Sequence, residues 1–227
     1  RMQPPPSNAP YPFLAYGNGR SYGDVCLIEK GTLLLSRGLD RFINFDPIRG
    51  ILRCEAGVTL EEILNLVVPQ GWFLASTPGT RLATVGGAVA NDVHGKNHHQ
   101  VGSFGHHVRA LEIWRSDGEI IKCSPDENTD WLQATIGGLG LTGLIRWVEI
   151  QLMPIRNSEM WVQSQRFSNL EEFWALNREA ETNWPYTVAW IDCLARGKSR
   201  GRGILFTGQH ASAQNAQPHF RTSNKQV

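Results

Sequence analysis

Three glycine-rich segments, set far apart along the chain, limit what it can fold into more than any other feature. The first is Tyr16-Gly17-Asn18-Gly19-Arg20-Ser21-Tyr22-Gly23-Asp24. Residues this small let main-chain amides approach a ligand closely, and Arg20 offsets negative charge beside them. A phosphate-bearing cofactor suits the segment; so does an ordinary Gly/Asn turn between strands. In the second, Thr77-Pro78-Gly79-Thr80 is a turn that leads into Thr84-Val85-Gly86-Gly87-Ala88, a run small enough to lie flat against a pyrophosphate. The third, Gly138-Leu139-Gly140-Leu141-Thr142-Gly143, spells the GxGxxG pattern of dinucleotide folds. That fingerprint requires a strand before it and a helix after it, whereas here a helix precedes and a strand follows. The segment therefore reads as a tight loop, near a ligand or packing helix against strand, and not as an NAD site.

Between these loops the pattern alternates short strands and helices. Ile51 to Glu55 reads as a strand, and Thr59-Leu60-Glu61-Glu62 after it as a capping box. Apolar residues at Leu60, Ile63, Leu64, Val67 and Val68 then give one buried helix face. Ala110 to Arg115 and Glu119 to Cys123 form a hairpin around Ser116-Asp117-Gly118, whose Asp-Gly step is expected to supply positive φ angles. Trp131 to Thr135 is a short helix, and Leu144 to Met153 a half-buried strand ended by Pro154, with Val148, Ile150 and Leu152 on one face. A boundary is placed there, dividing 1–155 from 156–227. Beyond it come a strand over Trp161 to Phe167, a helix opened by a second capping box at Ser168 and Glu171, and strands at Tyr186 to Leu194 and Ile204 to Thr207. From Gln209 the chain is polar and weakly periodic, so the second domain reads as an incomplete one.

Composition excludes several function classes. The formal net charge is +1, so no global field points to a nucleic-acid partner. No apolar run approaches the ~20 residues needed to cross a bilayer. Cys26, Cys54, Cys123 and Cys193 form no CxxC pair, and reduced thiols in a cytoplasmic protein are expected. The stretch Pro4 to Pro6 resembles a linker more than a signal peptide.

Two clusters suggest other chemistries. Five of the seven histidines fall between His94 and His107, and the i,i+4 spacing of His94 and His98 would suit a metal-dependent hydrolase. Gly95 and Asn97 are poor helix formers, however, and no HExxH pattern is present, so no metal is assigned. The run Arg196-Gly197-Lys198-Ser199-Arg200-Gly201-Arg202 would suit a phosphate- or RNA-binding module. It lacks interleaved aromatics and reads better as a solvated loop, with no nucleic-acid partner expected.

Taken in order, Gly19-Arg20-Ser21-Tyr22-Gly23-Asp24, Thr77-Pro78-Gly79-Thr80, Thr84-Val85-Gly86-Gly87-Ala88, His94-Gly95-Lys96-Asn97-His98-His99 with Gly102-Ser103-Phe104-Gly105, and Gly140-Leu141-Thr142-Gly143 resemble the decaprenylphosphoryl-ribose oxidases. These belong to the vanillyl-alcohol-oxidase-like flavoproteins. The resemblance is strong over residues 12 to 155 and weak to about 207. It implies an α+β fold: a PCMH-type FAD-binding domain of two α+β subdomains, followed by the start of an α+β substrate domain. It implies FAD contacts at Tyr16, Gly17, Asn18, Gly19, Arg20, Ser21, Tyr22, Gly23 and Asp24, then at Gly79, Thr84, Val85, Gly86 and Gly87. Further contacts are implied at Asn91, Asp92, Val93, His94 and Ile145, with Tyr22, His94 and Lys96 at the catalytic centre. Where covalent members of the wider superfamily carry a flavin-bonded histidine in the first loop, this chain has Arg20, so noncovalent FAD is implied. The implied reaction oxidises a sugar secondary alcohol, at C2 of a polyprenyl-phosphoryl ribose in the family. A short-chain reductase partner and peripheral membrane association would accompany it.

Overall fold

Residues 11–211 are described by the computed structural model; the Pro4 to Pro6 linker and most of the polar tail expected after Gln209 lie outside them. The chain divides into two compact units, Arg1–Pro154 and Ile155–Val227.

In the first unit, strands β1 (Phe13–Tyr16) and β2 (Thr32–Leu35) pair in parallel, and the first glycine segment opens the connection between them. The main sheet is antiparallel. It comprises β3 (Phe42–Asp46), β4 (Ile51–Glu55), β6 (Val108–Trp114), β7 (Ile120–Cys123) and the long β8 (Leu144–Pro154). Their spatial order is β3-β4-β8-β6-β7, with β5 (Trp72–Leu74) pairing the far end of β8. Because side chains alternate across a strand, Cys54, Leu111, Val148 and Ile150 project to one side. There they meet Leu60, Ile63 and Val67 of α1 (Leu60–Val67) and Val85 and Val89 of α2 (Val85–Ala90) in one apolar core. Burial in that core pushes the Cys54 thiol up to about 12, so it is inert as a nucleophile.

The start of α1 is fixed by short-range chemistry. Thr59 Oγ1 accepts the Glu62 amide at 3.2 Å, and Glu62 Oε2 accepts the Thr59 amide at 2.7 Å. Both terminal guanidinium nitrogens of Arg37 also reach Glu62, at 3.2 Å each, while Arg37 donates to the Gly57 carbonyl. The fork from Arg37, with the bonds from Thr59, holds the Glu62 carboxyl down at about 2. Thus the segment after β2 is tied to the turn between β4 and α1.

Some expected boundaries shift. In the hairpin only Gly118 has a positive φ, of 91°. Asp117 instead accepts the Glu119 amide at 3.0 Å, so the Asx bond shapes the turn and a second left-handed residue is not needed. Val85–Ala90 is helical despite its paired glycines, because Thr84 caps it by accepting the Gly87 amide.

The second unit, taken alone, has a three-stranded antiparallel sheet ordered β10 (Tyr186–Ile191), β11 (Gly203–His210), β9 (Met160–Phe167). Helix α3 (Leu170–Asn183) packs Phe173 and Ala180 against Phe167 and Leu205. Its cap lies one residue later than expected: Asn169, not Ser168, accepts the Glu172 amide at 3.0 Å, and Glu172 accepts the Ser168 amide. Asparagine matches serine as an N-cap, so the pattern admits both registers and the packing of Phe173 selects one. The basic run is the β10–β11 connection; there Arg202 pairs with Asp192 at 3.0 Å.

Candidate cofactor site

The three glycine segments converge on α2. Gly17 lies so close to Thr84 that a Cβ there would stand 2.5 Å from Oγ1, and Asn18 Nδ2 donates to the Leu82 carbonyl at 2.7 Å. From the other side the third loop docks on the end of the helix: Gly137 N–H donates to Val89 O and Leu139 N–H to Ala90 O. Between them opens a cavity of about 430 Å³.

The two glycines of α2 do different jobs. Each disfavours a helix by roughly 1 kcal/mol relative to alanine, so both need a reason. A Cβ on Gly86 would stand 2.8 Å from that of Ala56, so its smallness lets α2 press onto the β4–α1 turn. A Cβ on Gly87 would meet only Thr84 Oγ1, at 3.1 Å, and Gly87 borders the cavity; its smallness leaves room for a ligand. The amides of both are already engaged, with Ala56 O and Thr84 Oγ1. Free donors come instead from the first loop, where among the described residues the amides of Asn18 to Ser21 make no hydrogen bond to protein. Exposed Arg20 beside them supplies positive charge at the rim. A cradle of uncommitted amides, a cation and deleted side chains fits the pyrophosphate and flat rings of a dinucleotide cofactor.

Of the residues implied by sequence, Gly17, Asn18, Gly19, Arg20, Ser21 and Tyr22 line this cavity. So do Gly79, Thr84, Gly86, Gly87, Asn91, Val93 and Ile145. Tyr22 is 96% exposed at the mouth. Others lie off the wall. Tyr16 supports the loop from below, its hydroxyl pressed under Gly19. Gly23 and Asp24 form the turn that follows, where Asp24 O accepts the Leu27 amide. Val85 is buried in the core. Asp92 acts as a staple: its carboxylate accepts the Gly105 amide and the Ser103 hydroxyl, both at 2.8 Å, binding the histidine-bearing loop to the end of α2. His94 and Lys96 are exposed on that loop, just past Val93 and off the cavity wall. Leu139, Gly140 and Leu144 also line the cavity and were not singled out individually. For Leu139 and Gly140 the signal is the third glycine run, whose spelling directs attention to a Rossmann site; Leu144 reads only as the start of a strand.

The clustered histidines meet one another and nearby main chain. His94 and His98 touch edge to face at 5.2 Å, His98 Nδ1 meets Gly95 O, His106 Nδ1 accepts the Ser103 amide, and His107 Nε2 meets Val101 O. Among the described residues no group of three His, Cys, Asp or Glu side chains could hold a metal ion.

Comparison with known proteins accords with this geometry. A family model described as an FAD binding domain matches residues 7–124. The chain is 35% identical over 200 residues to the decaprenylphosphoryl-beta-D-ribose oxidase of Mycolicibacterium smegmatis, covering 87% of this chain and 44% of that protein. It is 40% identical over 154 residues to an uncharacterized Streptomyces coelicolor protein, covering 68% of this chain and 41% of that protein. It is 30% identical over 114 residues to the Homo sapiens Delta(24)-sterol reductase, covering 50% of this chain and 22% of that protein. The chain thus spans less than half the length of each relative. With its α+β fold, its cofactor cradle and this match over half its length, the chain belongs to the PCMH-type FAD-binding domain family and is homologous to the decaprenylphosphoryl-ribose oxidases.

Proposed function

We propose that the protein containing this chain is an FAD-dependent oxidoreductase acting on a CH–OH group of a sugar, with C2 of a polyprenyl-phosphoryl ribose as its substrate position. The observation that carries this reading is the convergence of three distant glycine segments on one cavity, in a chain with 35% identity to the ribose oxidase across most of its length. Residues 1–155 hold the cofactor and 156–227 begin the substrate domain. FAD, when bound, supplies the hydride acceptor for alcohol oxidation. The chain's own residues do the rest. The first-loop amides and Arg20 hold the phosphates, and Gly87 admits the ligand to the floor of the cavity. Tyr22 stands at the mouth, and the Asp92 staple sets the loop that carries His94 beside the flavin and substrate and Lys96 where it would hold a ribose hydroxyl or phosphate oxygen. Arg20 in place of a flavin-bonded histidine, and a wall without histidine among the described residues, support noncovalent FAD. Among the described residues no helix is long and apolar enough to cross a membrane; the lipid-linked substrate would be met at a membrane surface, and its keto-sugar product passed to a short-chain reductase.

The test is anaerobic mixing of the full-length, FAD-loaded protein with a polyprenyl-phosphoryl ribose. The expected result is bleaching of the visible flavin band with this sugar and none with a sterol. Bleaching by the sterol alone would contradict the proposed substrate class.

A further inference from the structure

Leu139 breaks the local logic of its loop. Its φ is +53°, in the left-handed region where an L side chain crowds the backbone. Glycine stands on both sides of it, so a third glycine would have been free of strain. Nor does the side chain contribute to the apolar core: it is 47% exposed, on the cavity wall with Gly140, Leu144 and Ile145. The strained backbone is held from outside, by its own amide on Ala90 O at 2.8 Å and by that of Gly137 on Val89 O at 3.0 Å. A conformation over-determined by its surroundings, carrying an apolar side chain into a ligand-sized space, has the character of a ligand clamp.

We propose that Leu139 is a cofactor-binding residue, its side chain covering one of the flat rings of FAD, and that the docking of the 137–143 loop on α2 holds it there against its backbone preference. The inference rests on FAD occupying this cavity. It predicts opposite signs for stability and binding. Asparagine is close to leucine in size and tolerates the left-handed region; glycine adopts it freely, though its greater freedom when unfolded offsets part of the relief. Without FAD, Leu139→Asn and Leu139→Gly in the full chain should therefore melt at or above the parent's temperature. Titrated with FAD and followed by quenching of flavin fluorescence, both should bind about tenfold more weakly, since each loses the apolar cover. Parent-like affinity in both variants overturns the proposal while leaving the site in place. A clear drop in melting temperature without FAD also overturns it, because Leu139 would then be supporting the fold. A parent chain that binds no FAD removes the occupied cavity itself, and the proposal with it.

Discussion

Replacing Gly87 with leucine is expected to leave the protein folded and to weaken FAD binding at least about 100-fold, roughly 3 kcal/mol. The two halves of this expectation have separate causes. In the fold, position 87 is helical and meets only the Thr84 hydroxyl, which must give by a few tenths of an ångström. Against that small adjustment, leucine improves helix propensity by up to about 1 kcal/mol over glycine. In the site, the new side chain projects where the cavity wall is now bare main chain. A ligand must then shift or leave, and close-packed sites tolerate such overfilling poorly. Circular dichroism melts and FAD titration together check it. A variant that binds FAD as the parent does would place the cofactor elsewhere.

Gly57→Ala is expected to do the reverse, damaging the fold first and the site through it. A Cβ at this position would lie 2.0 Å from the Ser36 carbonyl oxygen and 2.6 Å from that of Leu39, both backbone atoms that cannot swing aside. Gly57 N–H donates to Leu39 O at 2.8 Å, so moving apart forfeits that bond as well. Buried overpacking against main chain is worth about 3 kcal/mol or more of lost stability, which for a unit of this size lowers the melting temperature by about 10 °C. Because Ser36 and Ala56 both line the cavity, FAD affinity should fall along with it. A melting curve matching the parent's would show that this junction is looser than described.

What could be read from sequence follows from how local each interaction is. The start of α1 was legible because Thr59 and Glu62 satisfy each other within one turn. The hairpin of β6 and β7 was legible for the same reason, although its turn uses one left-handed residue where two were expected. The β1–β2 pair went unread: each strand has four residues, their pairing is parallel, and nothing within either strand encodes the partner. Helix α2 was hidden by Gly86 and Gly87, whose low propensity is overridden by the Thr84 cap and by packing on Ala56. In the site, the glycine loops announced themselves because a cofactor cradle is made by deleting side chains. Asp92 was read as a cofactor contact, and only the fold reveals that its carboxylate is consumed by Ser103 and Gly105. Leu139 was unreadable because its significance lies in a dihedral angle.

The proposed function requires that this cavity hold FAD without a covalent bond. The most direct measurement is the visible spectrum of the full-length protein after incubation with FAD and removal of the excess, followed by acid precipitation. The expected result is a yellow protein whose colour passes entirely to the supernatant as FAD. Colour retained in the pellet would contradict noncovalent binding and direct attention to Cys26, the thiol among the residues lining the cavity. A protein that stays colourless would contradict the claim outright.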